Sequence, residues 1–233
     1  MFMSYTKTIV CLANSRKLAG RCVAGKEWDG RHMGDWCRPV SGRDRGELTA
    51  ERWYSRTWRD PQLLDLIEVS LLGPRPSGFQ TENHLVDSSV RWKYAGRVSP
   101  HNLLPAIDRP DGPLWANGVS TASGVNDKVP AAVAERQRNS LVLVQPKLLT
   151  LTINTEGADA GNPRRRVRGH FSLGGCEYAL SVTDPIVEKP FLSKPDGFST
   201  ELQNPLLCIS LSEKYNAQNA CFKLIAGVIC VHA

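Results

Sequence analysis

Arg166-Val167-Arg168-Gly169-His170-Phe171-Ser172-Leu173 alternates polar and apolar residues at period two, and Gly174-Gly175 turns the chain into Cys176-Glu177-Tyr178-Ala179-Leu180-Ser181-Val182-Thr183. Successive strand side chains point to opposite faces, so the alternation marks a half-buried strand. The glycine pair supplies the positive φ that a two-residue hairpin needs. The same reading extends outward. Leu141–Val144 and Leu148–Ile153 are strand candidates split by Pro146, Gly157–Pro163 is a loop, and Leu206–Leu211 and Phe222–Val231 are closing strands. Asp184 before Pro185 reads as an Asx-type turn at a strand end.

In the first half, Thr8–Ala13 is short, apolar and β-branched, and Asn14-Ser15 is a turn signal after it. Arg21–Ala24 follows Gly20 as a second strand. Trp36–Ser41 is a third, placed at an edge or bulge because Pro39 cannot donate to a ladder. Leu63–Leu72 is the strongest apolar run of this half, stopped by Pro74-Arg75-Pro76, and a strand over Asp65–Leu72 fits it better than a helix. Residues 77–138 are different: Gly, Pro, Asn and Asp recur without clean periodicity, with helical turns expected at Pro100–Ile107 and Pro130–Arg138, and another near Thr49. The organisation expected is mainly β, with a first barrel over 1–76, a loop-rich, partly helical connector over 77–138 packed on the barrels, and a second barrel over 139–233. One long β-sandwich is the alternative. No repeat of 20–50 residues is visible, which argues against a solenoid or propeller.

The 233 residues carry a net charge of +6, distributed unevenly. Residues 1–60 hold 12 Lys+Arg against 7 Asp+Glu, 61–163 hold 9 against 10, and 164–233 hold 8 against 6. Basic charge at the two ends permits contact with a polyanion. No apolar run approaches the ~20 residues that span a bilayer, and the start lacks the pattern of a secretory signal, so a cytoplasmic location is expected. The seven cysteines are scattered, without C-x-x-C spacing, and read as reduced core residues.

Three clusters suit an anion. Asn14-Ser15-Arg16-Lys17-Leu18-Ala19-Gly20-Arg21 gathers three cations at a strand end, where a loop could offer them to phosphate. Trp36 with Arg38 sets an aromatic beside a guanidinium, the combination single-strand binders use. Arg164-Arg165-Arg166 with Arg168 places three guanidiniums on one strand face by alternation, as a phosphate-tracking row. Trp28, Trp53 and Trp58 interleave with the basic residues of the first 60. Each cluster also has an ordinary reading: solvated loop, buried tryptophan, solvated face.

Catalytic spacing is absent from the sequence. His32, His84, His101, His170 and His232 are isolated, and no H-E-x-x-H, G-x-S-x-G, P-loop or G-x-G-x-x-G occurs. Gln80, Glu82, Asn83, His84 and Asp87 form a polar knot, and Glu82 with His84 lacks a nucleophile at a diagnostic spacing. No cofactor or metal is expected.

Taken in order, Ile9–Lys17 with Gly20–Gly25, Trp36 with Arg38–Ser41, Gln80–His84, Leu114-Trp115, Gly161–Pro163, Ser181–Pro185 and Phe222–Ile229 resemble the dual OB-containing domain family, a prokaryotic group. The resemblance covers nearly the whole chain. It implies two OB folds, with single-stranded nucleic acid or a nucleotide as ligand, and by analogy a place in a bacterial, phage-defence type of system. A binding module rather than an enzyme is therefore expected. Arg16, Lys17, Arg21, Trp36, Arg38, Arg164, Arg165, Arg166 and Arg168 would contact single-stranded DNA or RNA over ~4–16 nucleotides per barrel. The alternatives are a nucleotide or modified-nucleotide sensor, with Gln80, Glu82, Asn83, His84 and Trp115 lining a small-ligand pocket, and a subunit whose strand edges dock on a protein encoded nearby.

Overall fold

The structure, a computed structural model, describes residues 4–158 and 161–231; His232 and two residues of the expected loop Gly157–Pro163 lie outside them. β1 (Tyr5–Lys17) and β2 (Gly20–Trp28) form a long antiparallel hairpin. Asn14-Ser15 does not end the first strand as expected. Asn14 donates to the Pro61 carbonyl, and backbone pairing runs on through Arg16↔Arg21 and Lys17↔Gly20. The turn falls at Leu18-Ala19, with Leu18 in the left-handed region at φ 51°. Gly25 faces the irregularity between Cys11 and Ala13, where β2 presses so close that a Cβ would run into the Val10 carbonyl oxygen.

β3 (Met33–Val40) continues from β2, β4 (Asp65–Pro74) pairs with β1, and β5 (Asn83–Val86) lies between β3 and β4. The ring is β1-β2-β3-β5-β4, closed by β4 on β1, with β3 and β5 parallel. This is the five-stranded closed barrel of an OB fold. Pro39 sits beyond the last β2–β3 pair and contributes only to the β5 side, so its missing donor is tolerated. β4 alternates buried Ile67, Val69 and Leu71 with more exposed neighbours, and these meet Ile9, Val23, Cys37 and Trp92 in the barrel core. β6 (Lys93–Arg97) adds to β4 as an edge.

The second barrel repeats the winding. β7 (Lys128–Pro130), β8 (Leu141–Val144), β9 (Leu148–Glu156), β10 (Arg164–Leu173), β11 (Cys176–Val182), β12 (Ser199–Gln203), β13 (Leu206–Leu211) and β14 (Ala220–Ile229) include the order β9-β10-β11-β14-β13, with β11 and β14 parallel. β12 pairs with β9 and β13 with β14, and only Asn204-Pro205 separates them. A strand broken at one point thus does here what the continuous β4 does in the first barrel. The β10–β11 hairpin turns on Gly174 and Gly175, both at positive φ, as the alternation predicts. Gly169 faces the core, where Ile225 and Leu149 leave no room for a side chain.

Among the described residues two short α-helices occur, α1 (Ala131–Ala134) and α2 (Pro185–Phe191). Asp184 caps α2 by accepting from the Ile186 amide, so the expected Asx turn begins a helix. The chain divides into Met1–Ala106 with Arg138–Ser140, and Ile107–Gln137 with Leu141–Ala233. The stretch 77–138 is thus shared between the two units. None of the seven cysteines forms a disulfide, and Cys11, Cys37, Cys208 and Cys221 are buried. Burial pushes the Cys37 thiol up to about 12 and that of Cys221 to about 11, leaving both protonated and inert. No helix among the described residues is long and apolar enough to cross a membrane.

Candidate functional site

In the first barrel the cationic group lies at the tip of the β1–β2 hairpin. Arg16 is exposed, Lys17 and Arg21 are half-exposed, and Arg16 stands directly opposite Arg21 in the ladder. Like charges in direct cross-strand register are unfavourable. Arg21 is braced on the other side by Asp60, 4.0 Å away, and its backbone exchanges hydrogen bonds with Leu48. Trp36 is half-buried on β3, with the Lys26 ammonium 5.3 Å from its ring centroid.

Arg38, the expected partner of Trp36, is internal. Its side chain is 2% exposed and pairs with Glu82 at 3.2 Å, while its amide donates to the Glu82 carbonyl. Ser140 donates to the same carboxylate, and Asn83 donates to Gln80. Glu82 Oε2 and Asn83 Oδ1 are buried without a hydrogen-bond partner, a pattern that suits ordered water. Gln80, Glu82 and Asn83 are therefore committed to holding β3, β5 and the Arg138–Ser140 segment together. His84 is bound by the Tyr5 hydroxyl at 2.6 Å, and burial with the Lys7 charge lowers its pKa. Trp115 belongs to the second unit, where it packs on the core with a left-handed backbone.

The arginine run in β10 separates by role. Arg168 is buried among Glu156, at 2.6 Å, and Asp127, at 3.1 Å, and also donates to the Ala179 carbonyl. These partners hold its proton even more firmly than usual against the opposing effect of burial. Arg165 clamps the turn after α2 through the Leu192 and Lys194 carbonyls and Asp196. Arg164 reaches Asn162, and Arg166 lies 3.8 Å from Glu156; both remain exposed. Alternation does put Arg164, Arg166 and Arg168 on one face. The third is withdrawn from solvent by carboxylates 12 and 41 residues away in sequence.

The clusters named in the sequence miss Arg91 and Tyr94, which the first barrel brings beside Trp58 and Arg59. The signal was the matched interleaving of Arg56-Thr57-Trp58-Arg59 and Arg91-Trp92-Lys93-Tyr94. Among the described residues no three His, Cys, Asp or Glu side chains gather as a metal-holding group.

Two barrels of one winding define the class: a tandem OB-barrel binding module. The chain matches the model of the dual OB-containing domain over residues 7–228, nearly its whole length, and belongs to that family. Neither a curated protein nor a solved structure matches it.

Proposed function

We propose that the protein binds single-stranded nucleic acid. The observation that carries this reading is the direct opposition of Arg16 and Arg21 at the hairpin tip, with Lys17 beside them. A phosphate seated between the two guanidiniums would accept charge-assisted hydrogen bonds from both, with the Lys17 ammonium as a third cation beside it. Half-exposed Trp36 on the neighbouring strand offers a ring for a base. In the second barrel, Arg164 and Arg166 present a smaller phosphate contact. Arg38 and Arg168 are excluded from this role because each neutralises buried carboxylate.

The test is fluorescence anisotropy with labelled oligo(dT) and oligo(U), against duplex DNA, at about 50 and 200 mM salt. Binding to a single strand that weakens steeply with salt is expected, and Arg16→Ala/Lys17→Ala lowers the salt slope by about 1.4. Absence of binding to any single strand at the lower salt overturns the reading.

A further inference from the structure

We infer that the Trp58–Arg91 and Tyr94–Arg59 pairs form a base-stacking platform for single-stranded nucleic acid. This deepens the proposed function and rests on it. Trp58 is 59% exposed and Tyr94 48%, both large for aromatic side chains of a small barrel. The Arg91 guanidinium lies 4.2 Å from the Trp58 ring centroid, and its Nη1 is anchored on the Ala50 carbonyl at 2.7 Å. Arg59 sits 5.9 Å from the Tyr94 centroid, and Tyr94 meets the buried Tyr54 edge-on at 5.6 Å.

The two segments are held side by side. The Ser55 amide donates to the Trp92 carbonyl, the Tyr54 amide to the Arg59 carbonyl, and the Trp58 amide to the Tyr54 carbonyl. This closed loop fixes Trp58 at φ 55°, a conformation unfavourable for a bulky residue, while leaving its ring largely in water. The fold therefore keeps an indole outside at a backbone cost that burial does not offset. With Arg91 against the ring and more than half of the residue in water, the indole offers surface to a planar partner.

Charge selects the partner's chemistry. Neighbouring carboxylates are already engaged: Asp60 by Arg52 at 2.6 Å, Glu68 by Lys93 at 3.8 Å and Asp65 by Arg97 at 2.9 Å. Arg56, Arg59 and Arg91 have no carboxylate partner among the described residues. Two exposed rings interleaved with guanidiniums match a ligand that alternates planar bases with phosphates.

The experiment measures anisotropy of labelled oligo(dT) and oligo(U) with the full chain and with Trp58→Ala, Tyr94→Ala, Trp58→Phe and Tyr94→Phe, alongside Arg16→Ala/Lys17→Ala. Thermal melts check folding, and the phenylalanine variants retain a ring should an alanine variant unfold. Each alanine change is expected to weaken binding about ten-fold, with recovery in the phenylalanine variants and an unchanged salt slope, because stacking releases no counterions. Wild-type binding with undiminished affinity in both alanine variants overturns the platform and leaves the proposed function standing. No wild-type binding overturns both. Loss of a self-associated species in the alanine variants, with binding intact, assigns the surface to contact between copies and also overturns the platform.

Discussion

Arg38 and Glu82 form an ion pair at 3.2 Å whose two side chains are almost wholly removed from water. Arg38 stands on β3 and Glu82 in the turn that leads into β5, the strand parallel to β3, so the pair spans the step at which the ring stops being a simple meander. Removing one partner strands the other charge in the interior. Arg38→Ala is expected to lower unfolding stability by about 3–5 kcal/mol, whereas Arg38→Met/Glu82→Met costs much less because both charges leave together. Urea titrations of the single and double variants test this, and equal losses would rule it out.

Arg168 and Arg166, two positions apart on one strand, should answer opposite questions. Arg168→Ala breaks a buried set with Asp127 and Glu156 and is expected to cost about 3–5 kcal/mol of stability. Arg164→Ala/Arg166→Ala should leave stability within about 0.5 kcal/mol per site. Its effect is a reduced salt slope in oligonucleotide binding, by about 0.7 for each phosphate left without its guanidinium. Melting curves and salt titrations on the same preparations separate the two.

Lys223 supplies a pH dependence. It is buried on β14, where its ammonium donates to the Ala116 carbonyl at 2.6 Å and Asn117 at 2.8 Å, 5.1 Å from the Tyr178 ring centroid. Burial outweighs the Asp127 and Cys176 charges and lowers its pKa from 10.5 to about 8. Between those values the unfolded chain holds the proton and the folded one does not, so this group's contribution to stability rises with pH across that window. The stability of the wild type minus that of Lys223→Met should be flat below about 8 and climb towards 10.5. Tyr178, raised by burial, bends both curves downward above its ordinary 10.0 and largely drops out of the difference. Denaturant titrations across this range check the sign.

Gly25→Ala tests the tight seating of β2 on β1. The new methyl would meet the Val10 carbonyl, and backbone cannot yield as a flexible side chain can. A loss of about 1–3 kcal/mol is expected by thermal or urea unfolding, against a small effect for Gly73→Ala, where the space is open.

How much of this was readable in advance depends on where each signal lay. The β10–β11 hairpin was legible because period-two alternation and two turn glycines sit within one short stretch. β12, Ser-Thr-Glu-Leu-Gln, is polar and mostly exposed, and its strand state comes from pairing with β9 rather than from local preference. β5 reads in the sequence as part of a polar knot, because Asn83 and His84 take their strand state from β3 and β4 on either side. The arginines that proved internal were misread for a similar reason. Glu82 lies 44 positions after Arg38, and Asp127 lies 41 before Arg168, so charge counting within a window sees cations without their partners. The opposition of Arg16 and Arg21 was hidden by the turn signal at Asn14-Ser15, which tertiary pairing overrode.

The break at Asn204-Pro205 gives the second barrel a seam that can unzip in halves. Detaching β12 from β9 leaves β13 laced to both β14 and β8, whereas in the first barrel the single strand β4 must hold or yield as one. Amide hydrogen exchange should therefore report early opening along Ser199–Gln203, with Leu206–Leu211 protected to near the global unfolding limit. A gap of that kind would let the second barrel breathe at one edge without surrendering its core.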